Sequence, residues 1–181
     1  MCIEKDFSTF VINNRENNRA IVNEYSFLKI DNEYDWIWLD SLQKGWRKAF
    51  GADLCRELKE ALIKDDCINS FEFLDIKEKY GQLRLYASGY GDNARDVLAK
   101  YEELSKYICG HCGRLARYIT SGWIYPLCEY CIKITNGHAT PIEEFYGYNT
   151  YDDVCDEIDL IRNDFQYNRY WHTIGGDTSC P

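Results

Sequence analysis

Residues 109–131 read CGHCGRLARYITSGWIYPLCEYC and contain two Cys-x-x-Cys pairs. Fifteen residues separate the second cysteine, Cys112, from the third, Cys128. Each pair directs two thiolates at one point, and a hairpin of this length brings the two pairs together. Four sulfur donors at about 2.3 Å then complete a tetrahedral Zn²⁺ site without an open coordination position. The sequence therefore predicts a structural zinc ion with these ligands: Cys109, Cys112, Cys128 and Cys131.

The residues between the two pairs suit a zinc ribbon. We expect two short strands at residues 117–120 and 123–127, joined by a Ser-Gly turn. His111 lies between the first two ligands, and we expect it to point outward rather than to bind metal. His138 and Cys155 remain possible substitute donors. The alternative is that the four cysteines are ordinary core residues.

The composition is that of a globular protein. The chain has 181 residues, of which 45% are hydrophobic, and this length allows either one domain with a good core or one domain with a small appendage. Charges occur early at the N-terminus, and no apolar stretch has the length of a signal peptide or a membrane span. Nine cysteines are an odd total, which favours free thiols in a reducing compartment over a secreted disulfide framework. We therefore expect a soluble, cytoplasmic protein.

Upstream of the cysteines, the pattern predicts an α+β core. Apolar residues recur every four positions over residues 46–62, which indicates an amphipathic helix. Residues 71–86 largely alternate between apolar and polar and contain a Gly turn, which indicates a β-hairpin. A second helix, capped by Asp92 or Asn93, runs to the first cysteine pair. We expect the first helix to pack against the hairpin.

Downstream of the cysteines, Pro141 marks a linker-like break, and an amphipathic helix follows near residues 151–165. The predicted fold class is α+β, with a small antiparallel hairpin or sheet packed by helices, a zinc-ribbon element and a C-terminal acidic helical extension. The expected domains are an α+β core at 1–107, the zinc ribbon at 108–135 and an acidic, aromatic extension at 136–181.

Most of the net charge lies in the extension. The chain carries −9, and residues 142–164 hold −7 of it because eight acidic residues there face Arg162 alone. This excess disfavours unspecific binding to DNA or to an anionic membrane. Carboxylates attract a basic protein surface, and Tyr and Trp make strong interface contacts. The residues that we expect to bind a partner are Glu143, Glu144, Asp152, Asp153, Asp156, Glu157, Tyr167 and Trp171. The alternative is an ordinary solvated helix with its aromatic residues in the core.

An enzyme is not expected. The sequence contains no glycine-rich phosphate loop, nucleophile motif or second metal pattern. The charged residues 77–79 are more typical of a solvated strand than of a catalytic group, and His172 is an isolated candidate base. Direct nucleic-acid binding is the less favoured alternative, because basic and aromatic residues flank the cysteine pairs. They are Arg114, Arg117, Tyr118, Trp123 and Lys133, and they can equally serve to pack the ribbon on the core.

Three stretches of the chain resemble a family of small phage-borne and bacterial proteins. They are GWRKAFGADLC at 45–55, DIKEKYGQLRLY at 75–86, and KYEELSKYICGHCG at 100–113 with SGWIYPLCEYC at 121–131. That family shares a KEK(Y/F)GxLR(F/W)Y hairpin, a following helix, a CxxC knuckle and a GWIxPxC second knuckle. The resemblance covers residues 40–131 and leaves the acidic extension outside. It implies a phage or mobile-element setting rather than an activity.

In that setting, we expect a non-enzymatic protein that acts in the cytoplasm of a bacterial host cell. A basic target in such a cell is a nucleic-acid-handling defence protein such as a CRISPR effector nuclease, whose nucleic-acid channel is positively charged. The expected function is inhibition of the anti-CRISPR type, in which an acidic surface blocks DNA loading. The alternative is a zinc-ribbon protein that binds nucleic acid or acts as an adaptor.

Overall fold

The computed structural model describes residues 15–30, 35–135 and 138–163. The helices are α1 (Arg15–Glu24), α2 (Lys44–Lys64), α3 (Asp92–Ser105), α4 (Glu129–Thr135), α5 (Ile142–Tyr146) and α6 (Tyr151–Asn163). The strands are β1 (Glu72–Lys79), β2 (Gln82–Ser88), β3 (Tyr118–Thr120), β4 (Pro126–Leu127) and β5 (Ala139–Pro141). The fold class is therefore α+β, as the sequence predicts.

Helix α2 forms because its apolar residues recur on one face. Trp46, Leu54 and Leu58 on that face are buried. The closest backbone neighbour of α2 is α3, and α3 in turn lies along β2. The hairpin reaches the same hydrophobic core through Phe73 and Leu83. The core is thus built from α2, α3 and one face of the hairpin, with α3 as the main packing partner of α2.

Strands β1 and β2 form the predicted antiparallel hairpin. Ile76 lies opposite Leu85 on the buried face, and Lys77 lies opposite Arg84 on the other face. An irregularity in the pairing after Phe73 explains why the apolar period is broken there. The hairpin closes at residues 80–81, which both have positive φ, as a tight two-residue turn requires.

A second sheet has the strand order β4-β3-β5, and both of its pairings are antiparallel. Strand β5 is not predicted by the sequence, which suggested a linker at this position. Pro141 pairs with Tyr118 at the end of this edge strand. Proline is tolerated there because an edge strand does not need every N–H group for the sheet. The sheet therefore continues past the cysteines and leads directly into α5.

Helix α6 is part of the main core. Val154 and Ile158 on its inner face are buried in the same hydrophobic cluster as α2 and the hairpin. The Tyr151 hydroxyl donates to the Ala116 carbonyl at 3.2 Å, and the Arg117 guanidinium lies 3.3 Å from the centre of the Tyr151 ring. The division into three domains stays a prediction, and this cluster joins residues from both sides of its boundaries.

A buried polar network joins α1 to α2. The Asp40 carboxylate accepts hydrogen bonds from Arg47, from the Asn18 side chain at 2.8 Å and from the Ile37 N–H at 3.0 Å. Arg47 also donates to the Asn18 side chain at 3.1 Å. Each buried charge in this network therefore has partners, as its burial requires.

Within the described part of the chain, none of the helices combines the length and the apolar character of a membrane-spanning segment.

Candidate metal centre and neighbouring surfaces

The four predicted cysteines lie together. Their Sγ atoms are all within 4.8 Å of one another, and those of Cys112 and Cys128 are 3.6 Å apart. Four sulfurs about 2.3 Å from a tetrahedral ion are separated by about 3.8 Å. All four are free thiols, and Cys112 alone among them is partly exposed. The donor chemistry and the spacing therefore fit a metal ion such as zinc.

The first pair lies in a tight knuckle. The Gly113 N–H donates to the Cys109 carbonyl at 2.9 Å, and the Cys109 N–H donates to the Arg114 carbonyl at 2.7 Å. Gly113 has a φ of +86°. Glycine adopts this conformation without a steric penalty, which explains its position directly after the pair.

The second pair lies at the start of a helix. In a zinc ribbon, the second pair would lie in another hairpin knuckle, whereas here β4 leads directly into α4. The Ile132 N–H donates to the Cys128 carbonyl at 3.1 Å, and the Cys131 N–H points at the Cys128 sulfur from 3.5 Å. The metal centre thus consists of a knuckle, a hairpin and a short helix. Because α4 has only seven residues, its periodicity gives little sequence signal.

The knuckle is seated on the first turn of α2. The Gly45 N–H donates to the Gly110 carbonyl at 2.8 Å, and the Trp46 indole N–H donates to the Ile108 carbonyl at 3.0 Å. A Cβ on Gly45 would overlap the carbonyl oxygen of Cys109. The Gly110 carbonyl thereby satisfies one of the N–H groups left open at the start of a helix. The metal centre is thus in direct contact with the core.

Hydrogen bonds between the four cysteine side chains shift the pKa values of the thiols in opposite directions. Contacts with Cys109 and Cys112 lower the pKa of the Cys128 thiol. Contacts with Cys109 and Cys128, together with burial, raise the pKa of the Cys112 thiol. A bound metal ion would require all four cysteines as thiolates. The exposed His111 has its Nδ1 atom 3.7 Å from the Cys131 sulfur, so this ring lies beside the four thiols.

The two substitute donors do not join the site. Neither His138 nor Cys155 belongs to the cluster of candidate ligands found within residues 15–30, 35–135 and 138–163. Cys155 is a free, partly buried thiol on α6.

The acidic residues of the extension fall into two groups. Glu144, Asp152 and Asp156 are exposed, whereas Glu143 and Glu157 are half-buried. Asp153 is also half-buried, and its carboxylate accepts the Thr150 N–H at 2.8 Å at the start of α6. Tyr167 and Trp171 lie outside the described residues, as does the candidate base His172.

The basic residues beside the cysteines contact neighbouring side chains. Arg114 lies 4.9 Å from the centre of the Tyr130 ring, and Arg117 lies against the Tyr151 ring. Lys133 forms an ion pair with Glu129 at 3.7 Å. Tyr118 is half-buried in β3. Of these contacts, that of Arg117 with Tyr151 reaches α6 and supports the packing role, whereas the other two lie within the cysteine region.

Trp123 is different, because 76% of its surface is exposed. It lies next to a second aromatic residue that sequence reasoning missed, the 72% exposed Tyr80 of the β1–β2 turn. The two residues line one cleft between the hairpin turn and the β3–β4 turn. The available signal was a Tyr-Gly turn, where Asn-Gly is the usual choice.

Comparisons with protein-family models, with curated proteins and with solved structures found no match to this chain.

Proposed function

We propose that this is a non-enzymatic binding protein, stabilised by a structural zinc ion, that engages a basic partner protein. The contact surface is the acidic face, which we define as Glu144, Asp152 and Asp156. These carboxylates are exposed, and they have no ion-pair partner among the residues that the structure describes. Ile142 anchors α5 in the core, and Val154 and Ile158 anchor α6, so both helices present these carboxylates from fixed positions.

The proposal of zinc rests on the donor set. Four soft thiolates in a tetrahedral arrangement are typical of Zn²⁺ or of iron–sulfur centres. Four protein ligands leave no position for water or substrate, so the ion serves the fold rather than catalysis. The contact between the knuckle and Gly45 supports this role, because it links the ion to the start of the longest described helix.

The proposed partner is a protein that handles nucleic acid. Such proteins carry Lys and Arg along their phosphate-binding channels, and exposed carboxylates are complementary to that charge. The resemblance to phage-borne proteins supports a host defence nuclease, such as a CRISPR effector, as the specific target. The protein would then act in the host cytoplasm by occupying the channel and blocking DNA loading.

Charge reversal of the acidic face tests this proposal. One variant changes Glu144, Asp152 and Asp156 to lysine, and a control of the same charge change replaces three other exposed acidic residues, Glu60, Glu72 and Asp96, by lysine. Both variants gain the same charge, and both are expected to fold because exposed charges contribute little to stability. Tagged proteins are then used to capture partners from a bacterial lysate treated with nuclease.

We expect the wild-type and the control protein to retain the same basic, nucleic-acid-handling protein, and the acidic-face variant to lose it. With the purified partner, the reversal should slow association and weaken its salt dependence. Unchanged capture by the folded acidic-face variant would contradict the proposal. Capture that disappears after nuclease treatment would favour direct nucleic-acid binding instead.

A further inference from the structure

Two turns from different sheets meet beside the metal centre, and each presents an aromatic ring to solvent. A Cβ on Gly81, in the hairpin turn, would lie 3.0 Å from the Ile124 side chain of the β3–β4 turn. Tyr80 and Trp123 flank this contact and are the two most exposed aromatic residues that the structure describes. Large exposed rings on neighbouring turns are a feature of binding surfaces.

The backbone conformation of Tyr80 is a second sign that this residue has a binding role. Its φ is +54°, in the left-handed region that a residue with a Cβ atom adopts at an energetic cost. Glycine or asparagine would close the same turn with less strain. The ring is also exposed, so the core gains little from it in return. A strained and exposed aromatic residue is best explained by a contact outside the chain.

Cations alternate with rings along the adjoining hairpin face. Lys77 and Arg84 are direct cross-strand partners, and like charges in such a pair repel each other. The Lys77 ammonium lies 4.8 Å from the centre of the Tyr86 ring, and the Lys79 ammonium lies 5.6 Å from that of Tyr80. A second cleft, on the Arg84 and Tyr86 side of Tyr80, continues this surface.

The nearby carboxylates are engaged within the protein. Asp75 pairs with Lys77, and Glu102 pairs with Arg84 at 3.6 Å while it accepts the Leu85 N–H at 2.6 Å. The Glu78 carboxylate accepts the Gly81 N–H at 2.6 Å and so closes the turn. These contacts support the hairpin, and they leave Lys79 with the Tyr80 ring as its neighbour.

We propose that this face binds a short segment of single-stranded nucleic acid. Bases have π-faces that stack on exposed aromatic rings, and cations between the rings contact the phosphates. Lys77 and Arg84 already pair with carboxylates, so Lys79 is the cation of this face that the described carboxylates leave to a phosphate. We call this face the stacking surface, and it consists of Trp123, Tyr80, Tyr86, Lys77, Lys79 and Arg84. It is separate from the acidic face, so the two proposals stand or fall independently.

The test uses the full-length, zinc-loaded protein and fluorescein-labelled 12-mers of deoxythymidine and of uridine. Fluorescence anisotropy is measured over a salt series that starts at low ionic strength. We expect saturable binding. The logarithm of the association constant should fall linearly with the logarithm of the salt concentration, with a slope of about 0.7 per phosphate contacted. Lys79→Gln should therefore lower this slope by about 0.7.

Two substitutions locate the surface. Trp123→Ala and Tyr80→Gly should each weaken binding by about tenfold, since each removes one stacking platform. Tyr80→Gly should also keep or raise the melting temperature, because glycine accepts the positive φ freely. A loss of affinity in this variant is thereby separated from a loss of folding. Phe145→Ala, at an exposed ring on α5, is the matched control and should bind normally.

The acidic-face variant should bind the 12-mers as well as or better than wild type, which distinguishes the two proposals. Absence of binding at low ionic strength would overturn the stacking surface. Equal affinity of the wild type, Trp123→Ala and Tyr80→Gly would also overturn it. If a polyglutamate peptide bound equally tightly and lost this binding in the same two variants, the ligand of the stacking surface would be an acidic protein segment rather than nucleic acid.

Discussion

Gly45→Ala tests whether the metal knuckle is seated on helix α2. A methyl group at this position would overlap the carbonyl oxygen of Cys109 and lie 2.7 Å from the carbonyl carbon of Gly110. Both are backbone atoms of the knuckle, so neither can move aside as a side chain would. The overlap can be removed only if the helix and the knuckle move apart. This movement breaks the 2.8 Å hydrogen bond between the Gly45 N–H and the Gly110 carbonyl.

The expected magnitude follows from three contributions. Helix propensity alone would make alanine more stable than glycine by about 1 kcal/mol. Overpacking costs about 1–3 kcal/mol, and the upper end applies here because the obstacle is backbone. The lost hydrogen bond adds about 1 kcal/mol. We therefore expect Gly45→Ala to lower the free energy of unfolding by about 2–3 kcal/mol, although propensity alone predicts a gain.

Gly51→Ala is the matched control in the same helix. A Cβ there would meet Arg47 and Leu39 side-chain atoms at 3.6 Å, which is ordinary contact. This variant should be more stable than wild type by about 0.5–1 kcal/mol. Urea denaturation of zinc-loaded proteins, followed by circular dichroism, measures both changes. If Gly45→Ala proved as stable as Gly51→Ala, the knuckle would not be seated on α2 and the reasoning would be refuted.

Three further substitutions test the core and the helix starts. Leu58→Ala removes a fully buried side chain of α2 and should lower the free energy of unfolding by about 2–5 kcal/mol, measured by denaturation. A loss below about 1 kcal/mol would mean that the buried face of α2 is misassigned. Asp65→Ala removes a carboxylate that accepts hydrogen bonds from Asn93 and Ala94, and these bonds lower the pKa of Asp65. The stabilisation by Asp65 is present above the ordinary pKa and is lost as the pH falls through the lowered value, so the difference in melting temperature between wild type and variant should close in acid. A difference that stays constant with pH would argue against these hydrogen bonds at the start of α3. Thr150→Ala removes the hydroxyl oxygen that accepts the Asp153 N–H at the start of α6, and it should lower the free energy of unfolding by about 0.5–2 kcal/mol. The control Asn149→Ala, at an exposed neighbour, should be near neutral. Equal losses of stability in the two variants would exclude a capping role for Thr150.

The features that the sequence predicts correctly depend on local patterns. The spacing of the Cys-x-x-Cys pairs identifies all four members of the thiol cluster. The four-residue period of Trp46, Leu54 and Leu58 marks the buried face of α2. Alternation and a Gly turn identify the hairpin, because side chains on a strand point to opposite faces. In each case the information lies within one short stretch of chain.

The features that the sequence misses depend on contacts between distant residues. Pro141 reads locally as a break, and only the pairing with β3 makes it the end of an edge strand. No pattern around Gly45 shows that it faces the knuckle more than 60 residues away. The adjacency of Tyr80 and Trp123 likewise appears only once the two turns meet. The basic partner of the acidic face stays a prediction.

The zinc content of the purified protein tests the central claim most directly. We expect one zinc ion per chain by elemental analysis and by native mass spectrometry, both in the wild type and in the control Cys155→Ser. Cys128→Ser should lose the ion and melt at a lower temperature, because the binding energy of a structural zinc is also folding energy. Wild-type protein without a bound metal ion, or Cys128→Ser with undiminished zinc and stability, would contradict the account.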